Sequence, residues 1–358
     1  MTYAVIMAGG VGSRFWPVSR QETPKQFIQV LEANTLIQNT VARLQGMVPP
    51  ERCFIVTHER YVEQTAEQLP GIPRENILAE PFARNTAPCI AFAARFLHRR
   101  DPDATMVVLP ADHVIQNVRA FQEVLRAGIS AAEREGALVT IGIQPTYPAT
   151  GYGYIQYKGA VEHEPDDVTA FPVKTFAEKP DLPTAERFID SGDFLWNSGM
   201  FIWQTESILG ALAEHLPAVA DTFEEASQHF GTPAEDAAVR DAYSRCPSIS
   251  IDYGVMERSD HVFVIPGEFD WNDVGDWKAV YDLHEKNSSG NVILGNAIAQ
   301  DSVNCLIKAN ERLVVLVGMS DVVVVDTEDA TLVCRMDETQ EVKSVVDYLN
   351  TAHLSDFV

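Results

Sequence analysis

The sequence predicts an α/β protein with a mixed sheet flanked by helices, followed by a small β-solenoid-like domain at the C-terminus. Up to about residue 145, apolar strand-like runs alternate with segments of helical periodicity, a pattern typical of βαβ units. From residue 150 the strand-like segments suggest a second, more antiparallel lobe. After Gly290, short strands bounded by Gly, Asn or Asp recur at intervals of roughly nine or ten residues.

The first part of the chain supplies the βαβ pattern. Runs rich in β-branched residues predict strands, and apolar residues three or four positions apart predict helices. In doubly wound sheets, ligands bind beyond the carboxyl ends of the strands, so the loops that follow strands are candidate sites. We predict strands at 3–8, 53–57, 105–110 and 138–143, and helices at 35–44, 61–69, 85–100 and 119–135.

The remaining segments predict the second lobe and the terminal domain. We predict strands at 150–157, 173–180, 196–203 and 261–266, and helical segments at 183–192 and 207–245. We predict five further strands at 291–297, 303–309, 312–318, 321–327 and 330–336, with a plain meander as the alternative to a solenoid, and an amphipathic helix at 337–350. The predicted domains are residues 1–287 and 288–358.

Composition excludes several classes of function. The net charge of −24 argues against binding to nucleic acid or an anionic membrane through a general basic field. No apolar run approaches the roughly 18 residues of a membrane span, and the N-terminus lacks a basic signal-peptide region, so we expect a cytoplasmic protein. The five cysteines are widely spaced without a CxxC pair, which favours reduced thiols and argues against structural zinc.

Residues 8–27, AGGVGSRFWPVSRQETPKQF, predict a phosphate-binding loop after the first strand. A Walker loop needs Gly-Lys followed by Ser or Thr, which is missing, and Phe15 stands where a dinucleotide fingerprint needs its third glycine. This makes a dinucleotide-dependent oxidoreductase improbable. Backbone N–H groups could still approach a triphosphate closely, with Arg14 and Lys25 neutralising its charge. The loop residues predicted to bind the nucleotide are Ala8, Gly9, Gly10 and Gly12.

Two acidic segments could hold a metal ion. Asp112 follows the buried strand at 105–110, where it could bind a ligand or simply cap a helix. The turn at 268–276 contains Asp270, Asp273 and Asp276. Mg²⁺ commonly uses one or two carboxylates together with substrate phosphate oxygens, so one Asp from each segment would suffice.

The opening string resembles the signature of sugar-nucleotide pyrophosphorylases, and its RFWP and PKQF segments resemble the mannose-1-phosphate guanylyltransferases. The similarity continues through LPADH, TGYGYI, FAEKP, WNSGMF, SIDYGVME and DWNDVGDW. The resemblance implies a glycosyltransferase-A-like (Rossmann-like) fold and the transfer of GMP from GTP to α-D-mannose 1-phosphate, which gives GDP-mannose and pyrophosphate. It also implies a Mg²⁺ ion on Asp112 and Asp273, and catalytic roles for Arg14, Lys25, Asp112 and Lys179.

The resemblance also assigns residues to the base and the sugar. The segment EPFARNTAP resembles a guanine pocket, in which Glu80 would accept hydrogen bonds from the base, although Asn85 or Thr86 could equally cap a helix. In FAEKP, Glu178 would bind sugar hydroxyls and Lys179 the sugar phosphate, and we expect their side chains on opposite strand faces. The further residues assigned to nucleotide or sugar are Asn85, Thr86, Gly151, Asn197 and Asp252.

Two alternatives remain open. The same chemistry could use another pair, such as UTP or dTTP with glucose 1-phosphate. A non-catalytic regulatory module that binds a GDP-sugar is the second, but the presence of Arg14, Lys25, Asp112 and Asp273 together argues against it. We expect a homodimer.

Overall fold

The computed structural model describes residues 1–10, 12–31, 33–157, 169–352 and 354–358. It confirms the predicted α/β class with a mixed sheet. The chain forms two compact units, and the opening loop belongs to the second together with the C-terminal strands. The first unit contains Met1–Gly9, Thr40–Ala111 and Ile115–Trp271, and the second contains Gly10–Asn39, Asp112–Val114 and Asn272–Val358. The sequence-based boundary at 287/288 stays a prediction.

The first unit is built on a nine-stranded mixed sheet. Its strands are β1 (Thr2–Ala8), β2 (Cys53–His58), β3 (Ile77–Glu80), β4 (Thr105–Pro110), β6 (Leu138–Ile143), β7 (Tyr154–Tyr157), β8 (Phe171–Ala177), β9 (Phe194–Gln204) and β10 (Val262–Gly267), with short strands β5 (Val114–Ile115) and β11 (Trp271–Asn272) at the unit boundaries. The order in the sheet is β3-β2-β1-β4-β9-β6-β10-β8-β7. β1 pairs in parallel with β2 and β4, whereas β9 runs antiparallel to both β4 and β6.

Helices cover the sheet with apolar faces. Most lie close to their predicted positions, but the segment 207–245 resolves into three helices. Pro217 cannot continue the helix that precedes it, and Gly231, at a φ of 77°, and Pro233 lie between the second helix and the third. The helices are α1 (Leu36–Ala42), α2 (Val62–Gln68), α3 (Thr86–Arg100), α4 (Val118–Glu135), α5 (Leu182–Ser191), α6 (Thr205–His215), α7 (Pro217–Ser227) and α8 (Glu235–Arg245). Within the part of the chain that the structure describes, no helix combines the length and the apolar character needed to cross a bilayer.

The second unit contains a four-stranded sheet whose strands are β12 (Val292–Gln300), β13 (Leu306–Val317), β14 (Val322–Asp326) and β15 (Thr331–Arg335), in that order. β12–β13 and β13–β14 pair in parallel, which excludes a plain meander, and β14–β15 pair antiparallel. The prediction of five strands is wrong, because the second and third predicted strands form the single strand β13. The polar residues after Ala309 form a bulge in β13 opposite Gly295–Ala297.

After β15 the chain forms a 3₁₀ turn, Met336–Glu341, then α10 (Val342–Thr351) and a short 3₁₀ turn at Ser355–Phe357. Val342 and Val346 of α10 are buried in the same apolar cluster as Phe15 and Trp16. Trp277, the first residue of α9 (Trp277–Leu283), joins this cluster and donates a hydrogen bond from Nε1 to the Trp16 carbonyl oxygen at 3.1 Å. The C-terminal helix therefore packs against the opening loop.

Candidate active site

A polar cleft of about 320 Å³ lies in the second unit. It brings together four of the residues that the sequence analysis selected, Arg14, Lys25, Asp112 and Asp273, although they come from three separate parts of the chain. The residues that line it are Gly12, Ser13, Arg14, Phe15, Lys25, Asp112, His113, Asp273, Gly275 and Lys343.

Lys25 organises the floor of the cleft. Its Nζ donates hydrogen bonds to Asp112 Oδ2 at 2.8 Å and to the backbone carbonyl oxygen of Asp273 at 2.7 Å, and it lies 5.5 Å from the centre of the Phe15 ring. Burial raises the pKa of the Asp112 carboxyl group, but the charges of Lys25 and His113 and the hydrogen bond from Lys25 outweigh burial and leave that pKa below its ordinary value. Asp112 is therefore held as a carboxylate.

Gly12 shapes the loop over Lys25. Its φ of 73° lies in the left-handed region, and its carbonyl oxygen accepts hydrogen bonds from Phe15 N at 3.0 Å and Ser19 Oγ at 2.6 Å. A Cβ atom at this position would lie 2.2 Å from Lys25 Cβ. Only glycine therefore fits this turn without displacing Lys25.

Arg14 is the other predicted cation of the loop. It lies in the 3₁₀ turn Ser13–Phe15, is exposed, and makes no ion pair with any residue that the structure describes. By contrast, the nearby Arg20 is engaged elsewhere, because its guanidinium pairs with Asp329 at 2.9 Å and donates to the Pro17 carbonyl oxygen at 2.7 Å. Of these two arginines, Arg14 is the one that can bind an anion in the cleft.

The cleft has the donor chemistry that a magnesium ion prefers. Asp112 and Asp273 supply carboxylate oxygens, the hard ligands that Mg²⁺ takes in proteins. Gly275 leaves room beside them, since a Cβ atom there would lie 3.3 Å from Asp273 Oδ2. Asp276, one residue further, has a structural role: its Oδ1 accepts a hydrogen bond from Ala279 N at 3.0 Å and caps α9. The residues present therefore fit the expected ion.

Glu80, the predicted base-binding residue, ends β3 in the first unit and is buried. Its Oε1 accepts a hydrogen bond from the Tyr243 hydroxyl group at 2.9 Å. Its Oε2 faces Gly9, where a Cβ atom would lie only 3.0 Å away, so glycine permits this approach. Burial raises the pKa of Glu80 to about 7, although the Tyr243 hydrogen bond opposes this shift.

Asn85 and Thr86 form the N-terminal cap of α3. Asn85, at a φ of 68°, accepts a hydrogen bond from Thr86 N at 2.8 Å through its side chain. The Thr86 hydroxyl oxygen accepts a hydrogen bond at 2.8 Å from the backbone N–H of Ile251, the residue that precedes Asp252. Both residues thus have structural roles here, and their contact with a nucleotide stays a prediction.

The residues predicted to bind the sugar form a polar cluster in the first unit. Asn197 Nδ2 donates to Asp252 Oδ1 at 2.8 Å, and Asp252 begins a π-helical turn, Asp252–Met256. Turns of this kind are frequent at functional sites. Burial raises the pKa of Asp252, which lowers the fraction of this carboxyl group that is ionised.

Glu178 and Lys179 follow β8. The expectation that their side chains point to opposite faces is wrong, because β8 ends at Ala177 and Lys179 adopts a φ of 49°, so that Lys179 Nζ lies 3.2 Å from Glu178 Oε1. Glu178 Oε2 is buried without a hydrogen-bond partner among the described residues. Burial and the negative charge of Asp252 raise the pKa of Glu178, whereas Lys179 opposes the shift. An unsatisfied acceptor of this kind is suited to a sugar hydroxyl group.

Sequence reasoning missed several residues. One is Gly153, whose backbone lies next to Glu178: a Cβ atom there would lie 2.4 Å from Glu178 Oε2. The predicted contact of Gly151 with the sugar stays a prediction. Tyr243 and Lys343 were also missed, because each lies far along the chain from the motif that it joins. Tyrosine and lysine are common residue types, and no local sequence pattern distinguishes Tyr243 or Lys343 from the others in the chain.

Comparison with known proteins places the chain in a family. Residues 3–290 match the family model described as nucleotidyl transferase, and residues 295–349 match the MannoseP isomerase/GMP-like beta-helix domain, which confirms the solenoid-like character of the C-terminal strands.

Curated relatives match nearly the whole chain. The alginate biosynthesis protein AlgA of Pseudomonas aeruginosa is 41% identical over 98% of this chain and 73% of its own length. A mannose-1-phosphate guanylyltransferase of Escherichia coli K12 is 41% identical over 97% of this chain and 73% of its own length.

A solved structure agrees with these relatives. The crystal structure of a protein called mannose-1-phosphate geranyltransferase, from Thermus thermophilus, is 34% identical and superposes with a TM-score of 0.87, covering 98% of this chain and 99% of the other. The chain therefore belongs to the nucleotidyl transferase family and, within it, to the group that contains the mannose-1-phosphate guanylyltransferases.

Proposed function

We propose that this enzyme transfers GMP from GTP to α-D-mannose 1-phosphate, which yields GDP-mannose and pyrophosphate. The observation that carries the proposal is the cleft in which Lys25 joins Asp112 to Asp273 beside the exposed Arg14. The carboxylates of this cleft can hold a metal ion that accompanies a triphosphate, and its cations can bind the phosphate groups directly. Relatives named mannose-1-phosphate guanylyltransferase support the choice of GTP and mannose 1-phosphate.

The chemistry requires alignment and charge neutralisation. A phosphate oxygen of the sugar phosphate attacks the α-phosphorus of GTP in line, and pyrophosphate leaves with the electrons of the broken P–O bond. No general base is needed, because the attacking phosphate is already anionic. Arg14 and Lys25 neutralise charge on the β- and γ-phosphates as it develops on the leaving group.

The residues expected to hold a magnesium ion are Asp112 and Asp273. A bound Mg²⁺ would supply Lewis-acid charge neutralisation at the phosphate oxygens. Asp112 has a second task that needs no metal, since it holds the Lys25 ammonium group at 2.8 Å and so positions this cation.

A substrate panel tests the proposed function. Pyrophosphate release is measured with magnesium for GTP, ITP, UTP and dTTP, each paired with mannose 1-phosphate and glucose 1-phosphate. We expect GTP with mannose 1-phosphate to give the highest kcat/KM. A preference for UTP or dTTP with glucose 1-phosphate would support the alternative nucleotidyltransferase, and nucleotide binding without turnover on any pair would support the regulatory module.

Glu80 is proposed to accept hydrogen bonds from the N1 and N2 groups of guanine. Its Oε2 is not engaged by Tyr243, and a carboxylate suits two adjacent donors better than the mixed edge of uracil or thymine. ITP lacks the N2 amino group, so the ratio of kcat/KM for GTP to that for ITP reports this contact directly.

The raised pKa of Glu80 makes stability depend on pH. In the folded protein the pKa of Glu80 is about 7, above its ordinary value of 4.5, so the folded state keeps its carboxyl group protonated to a higher pH than the unfolded chain does. The stabilisation from this proton is complete below about pH 4.5 and is lost as the pH rises to about 7. Glu80→Gln is therefore expected to be more stable than wild type at pH 8 by up to about 3 kcal/mol, with a flatter stability profile between these pH values.

Urea unfolding across pH 4.5 to 8 measures this effect. The exposed Glu67→Gln serves as the matched control and is expected to follow the wild-type profile. Parallel profiles for wild type and Glu80→Gln would contradict the prediction.

Lys179 is proposed to bind the phosphate group of the sugar phosphate. It is exposed and lies beside Glu178, so a substrate can reach both. We expect Lys179→Ala to raise KM for mannose 1-phosphate by roughly 10-fold or more while KM for GTP changes less than about threefold. Lys174→Ala, an exposed lysine on β8, is the control. Equal losses for both substrates would rule out the proposed role.

We also propose a cytoplasmic homodimer. Support for self-association comes from apolar side chains exposed on neighbouring strands β12 and β13, where Ile298 lies opposite Val315. Leu313 and Val317 of β13 are exposed as well. The cytoplasmic location rests on the sequence features described above.

A further inference from the structure

Lys343 lines the same cleft as Arg14 and Lys25, although it lies in α10 near the end of the chain. The sequence predicts only that this helix is amphipathic. Val342 precedes Lys343 and is buried in the cluster that contains Phe15 and Trp16. The buried face of the helix therefore fixes the position from which Lys343 reaches the cleft.

Hydrogen bonds connect both ends of the C-terminal segment, residues 340–357, to other parts of the second unit. On the N-terminal side, Gln340 Nε2 donates to Asp276 Oδ2, and Asp276 is the capping residue of α9. On the C-terminal side, Trp16 Nε1 donates to the Phe357 carbonyl oxygen at 2.7 Å. Trp16 directly follows the turn that contains Arg14, so the segment bearing Lys343 and the phosphate loop are fastened together.

Lys343 changes the net charge of the cleft. Without it, the two positive charges of Arg14 and Lys25 would be balanced by the two negative charges of Asp112 and Asp273. Lys343 makes the cleft net positive in a chain of net charge −24. A triphosphate or pyrophosphate carries several negative charges, and a locally positive cleft raises its affinity and its rate of association.

A structural role for the Lys343 side chain finds no support in its surroundings. The residue is exposed and makes no ion pair or side-chain hydrogen bond within the described ranges. Lys25, in contrast, is already bound to Asp112. Among the lysines and arginines that the structure places in this cleft, Arg14 and Lys343 are thus the ones without an ion-pair partner among the described residues, and their charge adds to that of Lys25.

We propose that Lys343 binds the β- and γ-phosphates of the nucleoside triphosphate and the pyrophosphate that leaves. The C-terminal helix thereby completes the triphosphate site rather than only packing beside it. This inference rests on the proposed function for the identity of the ligand, but the binding of pyrophosphate can be measured without the sugar substrate.

Equilibrium binding tests the proposal with Lys343→Met, Lys343→Arg and wild-type protein. The probes are magnesium pyrophosphate, GTP and GMP, measured by calorimetry in the full-length chain. We expect Lys343→Met to bind pyrophosphate and GTP about 10- to 30-fold more weakly, with less than a twofold change for GMP, and Lys343→Arg to restore most of the loss. Lys278→Met removes an exposed lysine on α9 and is the matched charge control, expected to bind like wild type.

The outcomes separate this inference from the proposed function. Affinities of Lys343→Met within twofold of wild type for pyrophosphate and GTP would overturn the role of Lys343. Equal losses for GMP, or a lowered Tm without a selective loss of phosphate affinity, would show a structural effect and would overturn it as well. Absence of turnover on the whole substrate panel would refute the proposed function, whereas the binding comparison would still decide the role of Lys343.

Discussion

Asp112→Asn is expected to lower kcat by about 10²- to 10⁴-fold, the range for losing a central electrostatic contact in an active site. Two losses combine in this variant. The carboxylate proposed to hold the metal becomes neutral, and the charge that positions the Lys25 ammonium group at 2.8 Å is removed. Steady-state pyrophosphate release at saturating substrates measures the effect, and unfolding curves establish that the variant is folded.

Asp273→Asn separates those two losses. Lys25 contacts the backbone carbonyl oxygen of Asp273 at 2.7 Å, which the substitution leaves in place. We therefore expect a similar fall in kcat, a weaker apparent affinity for Mg²⁺ and an undisturbed Lys25. Asp270→Asn is the matched control: Asp270 is exposed with a φ of 54°, a conformation that Asn tolerates as well as Asp, and near-normal turnover is expected. Near-normal kcat in both Asp112→Asn and Asp273→Asn would refute the metal assignment.

Much of the first unit could be predicted from the sequence because its elements are marked locally. The strands at 105–110 and 138–143 are continuous apolar runs, and both occur at the predicted residues. The helix ending at Ser191 stops at Gly192, whose φ of 73° suits the αL position that ends many helices. Such signals depend on neighbours in sequence, so one chain is enough to recognise them.

The arrangement of the site depends on contacts that a single sequence does not reveal. Tyr243 meets Glu80 across 163 positions of the chain, and nothing in the surrounding helix distinguishes this tyrosine from a core residue. The strand β3 that carries Glu80 is only four residues long, too short for a clear period-two pattern. Lys343 was missed for a related reason, since the apolar periodicity of α10 predicts its buried face but not what lies beside its exposed one.

The opening loop was recognised for its glycines, and the structure assigns them different physical tasks. Gly12 has a left-handed backbone and its Cα approaches the buried Lys25 side chain, whereas a Cβ atom on Gly10 would meet nothing within 4 Å. Gly12 is therefore required for the shape of the loop. The space beside Gly10 is open, and there the sequence predicts that a phosphate group approaches the backbone.

Gly12→Ala is accordingly expected to destabilise the protein by about 2–5 kcal/mol. The left-handed conformation costs an L-residue roughly 1–2 kcal/mol, and the overlap at 2.2 Å with Lys25 Cβ adds roughly 1–3 kcal/mol of overpacking because Lys25 is buried and held at its ammonium group. Displacement of Lys25 should also lower kcat by at least about 10²-fold. Chemical denaturation and pyrophosphate release measure the two effects.

Gly10→Ala provides the matched comparison within the same loop. Its backbone lies outside the left-handed region and its surroundings are open, so its free energy of unfolding should stay within about 0.5 kcal/mol of wild type. If the backbone around Gly10 receives a phosphate group, the added methyl group should nevertheless weaken GTP binding. A loss of GTP affinity without a loss of stability in Gly10→Ala, beside a loss of both in Gly12→Ala, would separate the glycine that shapes the loop from the one that admits the ligand. Equal stability of the two variants would contradict the steric role assigned to Gly12.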